Sequence, residues 1–290
     1  MKILFSLPVH EKQDCVDDLI DNIIYFVKKP VIILHVSEGF DYKLQDKHRS
    51  VVHINPVKIK SGFLDGSLSI IHILNLMFVK EKIKSVDYFM PISSNQLFVK
   101  KDIERYLINY SESKAVNQSL EQTDFAHYPL YKKDKFWKRI CEEKHVYKVS
   151  PEGTFYKYSL VKEIIDYLSN DSEFNKITKE IYMSDVGLRR RRRAVSISKV
   201  MKKIKLVSLI PSQLASLSYA SEEIVLPTLF KKNIEVGDKV CFLPWGNNLA
   251  VSIEDVDNLR KTESSYFSVK RVDREYNDEV RVYIRSLMNE

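Results

Sequence analysis

Apolar positions along the first hundred residues alternate between two spacings. Residues 2–9, KILFSLPV, form a β-branched and aromatic run that reads as a strand. Residues 17–27 then place Leu19, Ile20, Ile23, Ile24 and Val27 at helical spacing. A continuous apolar run, 30–35, lies between Pro30 and Ser37-Glu38-Gly39, as a buried parallel strand would. Short strands are predicted at 51–54 and 88–92, with an apolar helix over 67–79 between them. Strands alternating with helices imply right-handed βαβ units and a mostly parallel central sheet flanked by helices, an α/β fold. Ligands in such sheets sit beyond the carboxyl ends of strands, which points to His10-Glu11, residues 36–39 and residues 93–96.

The later chain is less regular. Residues 132–147 are charged and aromatic, 159–168 form an amphipathic helix, and 222–229 begin a helix-like segment with acidic residues in its first turn. Short strands are expected around Trp245, then an acidic segment at 254–258, a strand at 267–272 and a final helix at 278–287. With no repeat and no clear linker, 1–290 reads as one domain, and residues 1–110 and 111–290 as its two halves.

Composition narrows the class. The chain has 290 residues, 44% of them hydrophobic and 29% charged, as in ordinary globular protein. No apolar run approaches the ~20 residues of a membrane helix, and 3–9 is too short for a signal peptide. Three scattered cysteines, Cys15, Cys141 and Cys241, argue against a disulfide framework or a CxxC metal site and fit a reducing cytoplasm. The net charge of +7 suits a protein that handles phosphates or sits on an anionic membrane. With seven glycines and neither GxGxxG nor GxxxxGKS/T, a glycine-rich phosphate loop is not expected.

Four segments, in order, carry a resemblance: residues 2–37 (strand, His10-Glu11, helix, strand, His35-Val36-Ser37), DYFMPISSNQLF at 87–98, EEIVLPTL at 222–229 and YFSVKRVD at 266–273. Together they resemble the core-2/I-branching glycosyltransferase family (glycosyltransferase family 14) and its bacterial relatives. The resemblance implies a GT-A-like nucleotide-sugar-binding fold that inverts the anomeric centre without a metal. The first half of the chain would bind the nucleotide sugar, most simply a UDP-sugar, and the second half the acceptor. By motif position Glu223 matches the catalytic glutamate, Lys270 the diphosphate-binding lysine, and Arg271 is a second donor to it. Val9, His10, Val36 and Ser37 fall where the family receives base and ribose. Asp65 and Gly66, before the helix at 67, could meet ribose or phosphate. Glu222, Glu152, Ser94, Asn95, Gln96 and Trp245 fall on the acceptor side.

Each assignment has a plainer alternative. Glu222 and Glu223 also suit a helix start, and neighbours on a helix point about 100° apart, so only one is expected to face a cleft. Lys270 and Arg271 also suit a solvated strand end, and Arg274, Arg281 and Arg285 read as surface. Asp255-Val256-Asp257 has the DxD form of a metal site, but Ser252, Glu254 and Asp255 equally mark a helix N-terminus. Where the family keeps a carboxylate in S-G-Q-D, this chain has Ser93-Ser94-Asn95-Gln96, which leaves sugar selectivity open.

The arginines at 189–193 read as a solvated face or as a contact with anionic lipid. Without interleaved aromatics they make a poor nucleic-acid site. The resemblance, nearer to the family's bacterial members, implies as partners a nucleotide sugar and a glycan, lipid-linked in surface-polysaccharide synthesis at the cytoplasmic face of a bacterial membrane. The alternatives are a non-catalytic basic protein binding nucleic acid or membrane through 189–205, and a metal-dependent enzyme using Asp255 and Asp257.

Overall fold

The computed structural model describes residues 1–10, 12–83, 85–119, 127–141, 145–244 and 250–289. Its strands in chain order are β1 (Ile3–Val9), β2 (Pro30–Val36), β3 (Val52–Ile54), β4 (Tyr88–Pro91), β5 (Gln96–Phe98), β6 (Glu112–Ser113), β7 (Val116–Ser119), β8 (His145–Lys148), β9 (Tyr156–Lys157), β10 (Val236–Gly237), β11 (Cys241–Phe242) and β12 (Ser268–Lys270). Seven of them form the central sheet in the order β10-β6-β9-β4-β1-β2-β3. β1 pairs in parallel with both β2 and β4, β2 with β3, and β6 with β10, while β9 runs against β4 and β6. The α/β class and the mostly parallel sheet expected from the alternating pattern are thus present.

β1 and β2 are apolar but for the buried Ser6 and His35, because both faces of the sheet are covered. On one face the helix Gln13–Phe26 buries Val16, Leu19, Ile20 and Ile23. It starts earlier than the apolar spacing indicates, and the buried Asp17 and Asp18 on it are satisfied by Tyr42 and Arg281. On the other face the helix Ser67–Lys82 packs with the helices Tyr158–Asn170 and Val225–Phe230.

The chain runs outward from β1 to β2 and β3, then returns to lay β4 on the opposite side of β1. The strand order therefore reverses between β1 and β4, and a crevice opens at their carboxyl ends. A second sheet, β11-β12-β5, stands beside it, with β12 antiparallel to β5 so that Lys270 is opposite Gln96.

Residues 222–229 depart from the expected helix. Ser221–Glu223 is a single 3-10 turn, and the α-helix begins only at Val225. The backbone N–H of Val149, just after β8, donates to the Glu223 carbonyl at 3.0 Å and ties this turn down. Glu222 and Glu223 therefore belong to this 3-10 turn and precede the α-helix rather than forming its first turn.

Candidate active site

Two cavities open at the crevice. The smaller, about 510 Å³, is lined by Pro8 near the end of β1 and His10 just beyond it, by Ser93 and Ser94 beyond β4, and by His72 from the helix behind them. The larger, about 1690 Å³, is walled by Tyr106, Tyr110 and Tyr266 and by Lys114, Lys148 and Lys239. Phe63, Glu152, Glu223 and Lys270 line both, so the cavities are two lobes joined at these residues.

Distant pieces of chain supply that join. Glu152 sits in the turn 151–154, where the Thr154 N–H donates to the Pro151 carbonyl at 3.0 Å. Gly153 holds φ +76°, and a Cβ there would lie 2.3 Å from the Cys241 nitrogen, so only glycine lets this turn press against β11. Lys270, at the end of β12, donates to Glu152 Oε1 and, at 2.9 Å, to Ser93 Oγ in the turn between β4 and β5. Lys239 enters before β11 and donates to the Ser150 carbonyl at 3.3 Å.

Crowding these charges into a half-dry cleft sets their protonation. Burial pushes Glu223 up to about 7, the negative Glu152 adds to the rise, and Lys270 and Lys239 oppose it. Burial pushes the neighbouring Glu222 up to about 8, which leaves it mostly neutral at pH 7. Burial alone would also raise Glu152, yet the Lys270 ammonium holds it below the usual carboxylate range. Burial draws Lys239 below the ordinary lysine value. The join thus holds one carboxylate poised near neutrality beside cationic groups, the protonation balance that general-base chemistry needs.

Other residues singled out in the sequence fall elsewhere. Arg271 lines the larger lobe in a left-handed backbone conformation (φ 71°) and donates to the Pro244 carbonyl at 2.8 Å. Both Glu222 and Glu223 line the smaller lobe, and Glu223 also reaches the larger one, so the expectation that only one faces the cleft does not hold. Ser94 lines the smaller lobe, whereas Asn95 is in the turn beside it, accepting from Ser93 Oγ at 3.2 Å. The Gln96 side chain is buried and donates to Ser268 Oγ at 2.9 Å, stitching β5 to β12 rather than meeting a ligand. Trp245 and Glu11 lie outside the described residues.

Of the residues placed at the donor site by position, His10 lines the smaller lobe. Val9 and Val36 are in the core, and Ser37 is turned to Ser61 at 2.6 Å. Asp65 points inward, where Arg191 pairs with it and Ser67 Oγ donates to it at 2.6 Å. Gly66 (φ +76°) lies against Tyr182 and Ser221, away from the lobes. Val9, Val36, Ser37, Asp65 and Gly66 therefore act behind the cleft wall, not on its surface.

The arginine run also resolves into different roles. It lies in the helix Asp185–Lys203, where Arg191 is fully buried and Arg189, Arg190, Arg192 and Arg193 are exposed. Arg274 is exposed, as its position suggested, and lines the rim of the smaller lobe, whereas Arg281 is buried against Asp18 and is not the surface residue expected.

Sequence reasoning missed Lys239 and Phe63. No motif marks Lys239, and an exposed aromatic (Phe63 is 75% exposed) has no signature until the fold sets it over a cleft.

Asp255 and Asp257 do not fit a metal site. Asp255 completes a capping box with Ser252, Asp257 accepts from the Tyr283 hydroxyl, and neither lines a lobe. Among the described residues no group of three or more His, Cys, Asp or Glu side chains is placed to hold a metal ion. No described helix is long and apolar enough to cross a membrane.

No protein-family model matches this chain, and no curated protein does. Among solved structures, a crystal structure of the galactosyltransferase LgtC in complex with donor and acceptor sugar analogs is similar at 11% identity. The alignment covers 100% of this chain and 95% of that one, with a TM-score of 0.39. At that identity and TM-score the likeness carries no argument about chemistry.

Proposed function

We propose that this chain is a GT-A-like glycosyltransferase of a single domain. The smaller lobe takes a nucleotide sugar, for which a UDP-sugar is the first choice, and the larger lobe takes a glycan. The observation that carries the reading is that Glu223 and Lys270 line both lobes where they meet. The smaller lobe lies at the reversal of strand order, where open parallel sheets bind nucleotides. The larger has the tyrosines and polar groups that suit sugar rings.

In this reading the Glu223 carboxylate takes the proton from an acceptor hydroxyl as that oxygen attacks the anomeric carbon. The bond from that carbon to the diphosphate breaks on the opposite side, its electron pair leaves with the diphosphate, and the centre inverts. Lys270, at the join, offsets the charge that develops on the leaving group, whereas Arg271, expected beside it, lines the acceptor lobe. Glu222 and Ser94, on the donor side of the join, face the transferred sugar rather than the acceptor. Glu222 there serves as a neutral carboxylic acid. The displacement asks no metal of these residues.

The exposed arginines of the helix Asp185–Lys203 stand beside exposed Val186 and Val200, and Lys199 lies 5.6 Å from the Phe63 ring at the cleft. A basic face studded with aliphatic side chains suits the surface of an anionic membrane better than nucleic acid. That supports a lipid-linked acceptor and work at the cytoplasmic face of a bacterial membrane, as in surface-polysaccharide synthesis.

The test is a pair of substitutions in protein shown to be folded. Glu223→Gln keeps size but cannot take the proton, so kcat falls about 10²–10⁴-fold while UDP affinity changes little. Glu222→Gln costs much less, because an amide resembles the neutral acid it replaces. Two active variants would place the base elsewhere, and a dead Glu222→Gln beside an active Glu223→Gln would exchange their roles.

A further inference from the structure

Behind the smaller lobe runs a chain of buried polar side chains whose hydrogen-bond direction can be read from end to end. The Val57 N–H donates to Asn55 Oδ1 at 3.0 Å, which fixes the Asn55 amide. Asn55 Nδ2 then donates to Asn75 Oδ1 at 2.9 Å, which fixes the Asn75 amide in turn. Asn75 Nδ2 donates to Ser6 Oγ at 2.8 Å. Ser6, whose oxygen accepts that bond, has its own proton left for His72 Nδ1, 2.7 Å away. Were Ser6 Oγ to accept from His72 as well, its own proton would have no acceptor among the described residues, so Nδ1 accepts and a neutral ring carries its proton on Nε2.

Asn55, Asn75, Ser6 and His72 are all buried, yet His72 lines the smaller lobe. Its Nε2 has no hydrogen-bond partner among the described residues and is not sealed off as an enclosed orphan. We propose that His72 is a pre-set neutral N–H donor at the floor of the smaller lobe, aimed at an acceptor oxygen of the nucleotide sugar. This rests on the reading that the lobe holds that donor.

Burial lowers the His72 pKa to about 3, so the ring stays neutral under working conditions and offers a hydrogen bond rather than a charge. Such a donor adds orientation to a site whose cations already supply charge, and Ser6 and Asn75 hold it as positioning residues.

The experiment begins with wild-type protein and a panel of nucleotide sugars, with UDP alone alongside, followed by calorimetry. If nothing in the panel binds, the donor-site reading fails. If a nucleotide sugar binds, His72→Phe in folded protein should weaken it about 3–10-fold, the scale of one hydrogen bond. His72→Gln, which keeps an N–H donor, should recover part of the loss. Equal weakening of UDP assigns the contact to a diphosphate or nucleoside oxygen, and weakening of the nucleotide sugar alone assigns it to a sugar oxygen. Unchanged affinity for both overturns the inference while the donor site stands.

A readout that a purely structural histidine would not move is the ¹⁵N spectrum of labelled histidines. His72 should show the Nε2–H form without ligand, and its Nε2 signal should shift on binding. An Nδ1–H form, or an Nε2 signal indifferent to bound ligand, overturns the inference.

Discussion

Glu152 and Lys270, 118 residues apart in the chain, form an ion pair at the join of the two lobes, and the same ammonium donates to Ser93 Oγ at 2.9 Å. The sequence placed these residues on opposite substrates. Their pairing makes them one unit, in which the carboxylate holds the ammonium at the join and also acts on Glu223. In the proposed function, an incoming diphosphate would meet a lysine already positioned.

That coupling predicts a pH effect. Glu152 is negative and helps raise Glu223 to about 7. Glu152→Gln removes the negative charge, so the Glu223 pKa falls and the acid limb of kcat/KM moves to lower pH. The measurement is the pH–rate profile of both proteins, and an acid limb that does not move would uncouple Glu152 from the base.

Glu222 predicts a pH effect on stability. Its carboxyl rises from an ordinary 4.5 to about 8 in the folded chain, so across that window the folded state keeps a proton that the unfolded state has lost. The associated stability is fully present below about 4.5 and is lost as the pH rises through about 8. Glu222→Gln cannot lose it. Relative to wild type, the variant should gain on the order of 1–3 kcal/mol at pH 8.5 over its standing at pH 5. Denaturant unfolding at the two pH values checks this, and a constant difference would count against a buried neutral acid.

Asp255 and Asp257 are engaged in a helix cap and with Tyr283. Transfer is therefore expected to survive excess EDTA, and manganese should not raise it. Lys270→Ala should weaken UDP binding by about 1.5–3 kcal/mol, the scale of a charged hydrogen bond. Its unfolding is measured alongside, because the change leaves Glu152 without its partner. Activity abolished by chelation and restored by manganese would overturn the metal-free reading.

The arginine run should split in two. Arg191→Gln strands the buried Asp65 and should cost on the order of 3–5 kcal/mol, whereas Arg192→Gln stays within about 0.5 kcal/mol. Replacing the four exposed arginines together should weaken sedimentation with phosphatidylglycerol vesicles, and salt should do the same to wild type. Binding to neutral phosphatidylcholine vesicles of equal strength would remove charge from the contact.

The strands of the first ninety residues were legible because an apolar run buried on both faces needs no distant partner to announce itself. β1, β2, β3 and β4 all fall within a residue or two of where the alternation put them. The crevice beyond their carboxyl ends follows from the same pattern. The motif EEIVLPTL likewise singled out Glu223 in a helix-like segment, but not that the segment opens with a separate 3-10 turn. The 3-10 turn there is held by Val149, a residue from another part of the chain.

What only the tertiary structure decided are the matters of long-range burial and charge. Position in a motif cannot tell that Asp65 turns away from the cleft to meet Arg191, or that Gln96 joins two strands. Nor can it tell that Glu152 comes to rest on Lys270 because Gly153 lets its turn close against β11. Local spacing encodes which side of a strand or helix a residue occupies. The partner that satisfies a buried charge, and hence its protonation, depends on contacts across a hundred residues or more, and those exist only once the chain has folded.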